Sequence, residues 1–93
     1  MSGVNATIAK YRHCHPADLI DFQGDARLYM ELFEEMAKTE LLLTLRHYRP
    51  TNLWLVEFYN ETATIVTLRI ESNDKGSSIC LAYIKLHGLE CEG

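Results

Sequence analysis

The sequence has few of the residues that build cross-links, metal ribbons or membrane spans. Cysteine occurs three times, at positions 14, 80 and 91, an odd and sparse set that makes a poor disulfide framework. A reduced, cytoplasmic setting is therefore expected. No uninterrupted apolar run approaches the roughly 18 residues that a membrane helix needs, so no membrane association is expected. The first residues, Met-Ser-Gly-Val-Asn-Ala-Thr, offer neither a basic stretch nor an apolar one, and no secretory leader is expected. Without a leader the sequons Asn5-Ala6-Thr7 and Asn60-Glu61-Thr62 carry no functional meaning. There is no internal repeat, low-complexity tract or Gly/Ser linker, and a single domain over residues 1–93 is expected.

Positive charge is also in short supply. Nine Lys and Arg stand against 13 Asp and Glu, a net charge of −4. Such a chain repels a phosphate backbone over most of its surface, which argues against nucleic acid as partner and favours a protein with a basic surface. P-loop, GxGxxG, HExxH and GxSxG patterns are all missing. No enzymatic activity and no cofactor are expected.

Apolar residues are present in ordinary supply, 47% of the chain, enough for one packed core. The first dozen residues fit a helix or a strand equally well. Pro16, Asp18 and Asp21 suit a short helix over roughly 16–22, interrupted by Gly24. From Asp25, a plausible N-cap, the residues Leu28, Leu32, Phe33 and Met36 recur at helical spacing, and an amphipathic helix ends near Lys38 or Thr39. Leu41 to Leu45 could prolong that helix to His47, but a strand from about Glu40 to Tyr48 is preferred, because it would pair with the strand-like segment after it.

Leu53 to Tyr59 and Thr64 to Glu71 read as strands, and Ser78 to Leu86 as a third, less regular one. Asn60-Glu61-Thr62-Ala63 and Ser72-Asn73-Asp74-Lys75-Gly76 read as the intervening turns, the second as a strong hairpin signal. The expected fold class is α+β: an N-terminal amphipathic helix, or helix pair, packed on a three- to four-stranded antiparallel β-meander. On this reading Trp54, Val56 and Phe58 share the core face with Val66, Leu68, Ile70, Cys80, Ala82 and Ile84. The other face shows Leu53, Leu55, Glu57 and Tyr59, then Ile65, Thr67, Arg69 and Glu71, then Ile79, Leu81, Tyr83 and Lys85. That face is too apolar to stand in water, so residues 1–22 or another chain should cover it.

Two surfaces are therefore candidates for binding. The acidic helix side carries Glu31, Glu34, Glu35 and Lys38 and would steer towards a basic partner. The second sheet face carries Leu55, Tyr59, Arg69, Leu81 and Tyr83, for docking or for self-association as a homodimer. A small acidic non-enzymatic binding module is the leading expectation, of the class that includes stoichiometric inhibitors, immunity proteins and antagonists carried by phages and mobile elements. Two alternatives rest on named residues. Cys14, His15, His87 and Cys91 could complete a zinc site if the termini met, although no C-x₂-C pair supports it. Tyr59, Arg69, Tyr83 and Lys85, with Arg46 and Tyr48, could stack and hold single-stranded RNA. Cys14 between His13 and His15 resembles an activated nucleophile only by adjacency, and Cys80 reads as a core thiol.

Overall fold

Capping residues decide where the helices begin and end. The computed structural model describes residues 3–14, 20–39, 42–59 and 66–89. Helix α1 spans Gly3–Tyr11 and settles the open choice for the first dozen residues in favour of helix. It stops in a Schellman motif: Cys14 N–H donates to the Ala9 carbonyl at 2.8 Å and His13 N–H to Lys10 at 3.2 Å, with His13 left-handed at φ 59. Helix α2 spans Ala26–Thr39, and Asp25 caps it by accepting from the Arg27 N–H at 3.0 Å. Its apolar stripe packs inward as the spacing implies, with Leu32 and Met36 buried and Leu28 and Phe33 against the core. The short helix expected over 16–22 is not formed at Ile20 and Asp21, and residues 22–24 make a turn; residues 16–19 lie outside the described part.

Strands β1 (Leu43–Tyr48), β2 (Leu53–Tyr59) and β3 (Val66–Ser72) form a three-stranded antiparallel sheet in the order β1-β2-β3. The strand preferred over helix for the Leu-rich segment is therefore present. Asn52, left-handed at φ 54, closes the β1–β2 connection with its N–H on the Arg49 carbonyl at 3.1 Å. The turn expected at Asn60–Ala63 lies outside the described residues.

The last element corrects the sequence reading. Lys75–Leu86 is a helix, α3, and not a further strand of the meander after β3. Asp74 is its N-cap, its carboxylate accepting from both the N–H and the hydroxyl of Ser77 at 2.9 and 2.8 Å. The expected hairpin turn is thus a helix start. Gly76 is needed for close approach and not for a turn: a Cβ there would lie 1.9 Å from the Gln23 carbonyl oxygen. At the other end Gly88, at φ 64, completes a second Schellman motif, with Leu89 N–H on Ile84 at 3.0 Å and Gly88 N–H on Lys85 at 3.2 Å.

α3 packs on β2 and β3 on one side and on α1 and α2 on the other, so it runs through the middle of the fold. That position explains the misreading. Gly76, Ser78, Ile79, Cys80, Ala82, Tyr83 and Ile84 are all buried, and a helix apolar on most sides shows no clean period of 3.6. The core then joins Ile8, Leu32, Met36, Val56, Phe58, Ile79 and Tyr83 across three layers. Burial pushes the Cys80 thiol up to about 12, so it is an inert part of this core. No helix among the described residues is long and apolar enough to cross a membrane.

Candidate functional site

Register assigns the faces of the sheet. Leu45↔Val56↔Ile70 and Leu43↔Phe58↔Leu68 form rows on the side packed against α3. The other side carries Thr44, Arg46 and Tyr48 from β1, Leu53, Leu55, Glu57 and Tyr59 from β2, and Arg69 and Glu71 from β3. Of the residues assigned to this face from sequence, Leu53, Leu55, Glu57 and Tyr59 of β2 and Arg69 and Glu71 of β3 are in place; a bulge beside Tyr59 sets Val66, expected on the core face, opposite Tyr59, and Ile65 lies outside the described residues. Ile79, Leu81, Tyr83 and Lys85 are not on it, because they belong to α3.

No described helix packs on this second face. Of the two covers weighed from sequence, residues 1–22 or another chain, the described part of the N-terminal segment does not supply the first: α1 rests on α3, with Ile8 buried there. Tyr48 is 56% exposed, more than any other large apolar side chain described, and Leu53, Leu55 and Tyr59 are half-buried. Beside them an open hollow of about 470 Å³ is lined by Arg46, Tyr48, Leu53, Leu55 and Glu71, among others.

At the middle of the face stands a carboxylate. Glu57 is fully buried, and two guanidiniums roof it: Arg46 binds Oε1 through Nε at 2.9 Å and through a shorter Nη2 contact, and Arg69 binds Oε2 through Nη2 at 3.0 Å. Burial pulls the Glu57 carboxyl upward, but the hydrogen bonds and charges of Arg46 and Arg69 win, and it is held below the usual carboxylate range. Glu57 in turn raises the Arg46 guanidinium. The centre of the face is thus a closed ion triad flanked by apolar and aromatic groups.

The second candidate surface, the acidic side of α2, is partly committed inward. Arg12 at the end of α1 bonds Glu35 at 2.5 Å and reaches Glu31 at 3.5 Å. Tyr83, with no exposed surface, donates its hydroxyl to Glu35 at 3.1 Å and accepts from Arg12 at 3.2 Å. Burial works against the Glu35 charge, yet Arg12 and Tyr83 hold its carboxyl below the ordinary range; Glu35 likewise raises Arg12. Glu34 and Lys38 point to solvent, and Glu31 is 62% exposed. Tyr83 is therefore a buried tie between α1, α2 and α3 and no surface anchor, and Leu81 lies on α3. Sequence reasoning missed this network, because Arg12 and Tyr83 are 71 residues apart and nothing local links them.

The zinc hypothesis meets a different arrangement. Among the described residues no three His, Cys, Asp or Glu side chains gather as a metal group. Cys14 packs against the core, and His87 packs at a tilt against the rings of Tyr11 and Tyr83, its Nδ1 3.1 Å from the Tyr11 hydroxyl. His15 and Cys91 lie outside the described residues. No protein-family model, curated protein or solved structure matches this chain.

Proposed function

We propose that this chain is a non-enzymatic protein-binding module of one domain, and that its docking surface is the second face of the sheet. One observation carries the reading. A three-stranded sheet presents Tyr48, Leu53, Leu55 and Tyr59 around an internally neutralised Arg46–Glu57–Arg69 triad, and no described helix lies over them. Apolar and aromatic groups with a self-satisfied polar centre suit a surface that loses water on contact with another polypeptide. The same triad disfavours RNA, because Glu57 already binds the two arginines that would have met phosphates.

The net charge of −4 and the exposed Glu31 and Glu34 on α2 support a partner with a basic surface, drawn in by long-range attraction. Self-association belongs to the same proposal, as does action by stoichiometric inhibition. Free thiols at Cys14 and Cys80 support a reducing, cytoplasmic setting.

Co-purification tests the reading. A tagged chain expressed in its source cells should retain a polypeptide, whether another protein or untagged copies of itself, and a Leu55→Asp bait should lose it. A Leu55→Asp bait that is folded and retains everything the unaltered bait retains would overturn the assignment of the face.

A further inference from the structure

The register places three residues in one row across the second face, over which no described helix lies: Arg46 on β1, Leu55 on β2 and Glu71 on β3. A cation stands at one edge, an apolar group in the middle and an anion at the other edge. Resting on the reading that this face docks a polypeptide, we propose that its occupant is a second copy of this chain, laid face to face about a two-fold axis along β2. Such an axis carries β1 of one copy over β3 of the other and keeps each row in place. Arg46 then faces Glu71 of the second copy, and Glu71 faces its Arg46, on either side of a Leu55–Leu55 contact. One row cannot be self-complementary in this way unless its two edges carry opposite charges, and here they do.

The charge state of the groups suits the pairing. Arg46 spends Nε and Nη2 on Glu57 and is still 59% exposed. Glu71 is 48% exposed, and the one cation paired with it among the described residues is Arg69 at 4.0 Å, the outer limit of an ion pair. In the neighbouring row Glu57 lies on the axis and would oppose its own copy, but it is fully buried beneath its two guanidiniums, so the carboxylates do not meet bare. Arg46, Arg69, Glu57 and Glu71 sum to no net charge, whereas the chain as a whole carries −4. Two like-charged copies therefore approach with less repulsion through this face than through the acidic side of α2.

Size sets the strength. Strands about 4.8 Å apart and roughly seven residues long give a face of about 14 by 23 Å, below the ~800 Å² per partner of standard interfaces. The dimer is therefore reversible and depends on concentration. The acidic side of α2 lies on another layer of the fold and stays available to a basic partner.

Sedimentation of the full chain, from about 1 μM to 1 mM, tests this. The mass should rise from 10.7 kDa towards twice that value. Leu55→Asp should abolish the rise, and Glu71→Arg should weaken dimerisation at least tenfold by setting a second guanidinium against Arg46. Arg46→Glu should do the same, and an equimolar mixture of the Glu71→Arg and Arg46→Glu chains should recover the dimer, since each charge then meets its opposite. Thermal melts establish that each variant is folded. If Arg46→Glu does not fold after losing its bond to Glu57, the other two variants still decide. A chain that stays at 10.7 kDa throughout overturns the self-pairing; the docking face then stands only if the Leu55→Asp bait loses a different protein. A dimer indifferent to Leu55→Asp and Glu71→Arg overturns the pairing too and places the contact elsewhere.

Discussion

Arg69 and Glu57 sit opposite each other on neighbouring strands, and the arginine donates Nη2–H to a carboxylate with no exposed surface of its own, at 3.0 Å. A buried charge on this sheet face is sustained only because its partners bring the solvent contact that it lacks. Glu57→Gln should destabilise the fold by about 1–3 kcal/mol in chemical denaturation near neutral pH, since the two arginines left behind are half-exposed and rehydrate. A change below a few tenths would show that the triad is idle.

Acid should act through the same carboxylate. The folded Glu57 carboxyl lies below its ordinary value of 4.5, so the folded state resists protonation more than the unfolded chain does. Its stabilisation is complete above the ordinary value and is lost as pH falls through the depressed one. Glu35 contributes with the same sign. Stability measured downwards from pH 5 should fall, and Glu57→Gln should flatten that fall without removing it. Equal slopes in the two proteins would contradict the linkage.

Gly76 touches the backbone of a different layer. An added Cβ would meet the Gln23 carbonyl oxygen at 1.9 Å and the Tyr29 ring at 2.7 Å, and the Gln23 backbone cannot give way without shifting the 21–25 turn against α3. That turn is held by Asn5, which accepts from the Gln23 N–H and donates to Asp21, and by the Gln23–Ser77 side-chain bond. Gly76→Ala should cost about 1–3 kcal/mol in thermal or urea unfolding, against the gain in helix propensity that the same change gives elsewhere.

The Schellman motif after α1 uses a residue with a side chain where glycine is usual. His13 is exposed and left-handed. His13→Gly should stabilise the fold, by up to about 1 kcal/mol, because the left-handed penalty outweighs the extra freedom of the unfolded chain. A loss of stability of similar size would mean that the imidazole itself is needed there.

The fold was legible where local signals agreed. Asp25 and the Leu28–Met36 stripe fix α2, and the aromatic, branched residues of β2 and β3 fix two strands whose faces are sorted as expected from Leu53 to Tyr59 and from Leu68 to Glu71, while the bulge opposite Tyr59 was not foreseen. The Ser78–Leu86 segment misled because β-branched and aromatic residues in a helix buried on most sides match strand and helix alike. Asp74 with Ser77 three residues on was the available sign of a helix start, and the nearby Asn73 and Gly76 drew the same residues into a hairpin. Of the site, alternation alone showed Leu55, Tyr59 and Arg69 on one face; the displacement of Leu81 and Tyr83 came from the missed helix. The Arg12–Glu35–Tyr83 network was out of reach, since it joins three helices at long separation.

Tyrosine reactivity tests the docking face most directly. Tyr48 stands on that face at 56% exposed, and Tyr11 stands away from it at 41%, an internal reference in the same chain. Both should be oxidised readily by hydroxyl-radical footprinting of the dilute protein. In the assembled sample, whether concentrated or bound to a co-purified partner, modification of Tyr48 should drop several-fold while Tyr11 keeps its rate. A Tyr48 that remains as reactive as Tyr11 in every sample would contradict the central claim that this sheet face is where the protein meets another polypeptide.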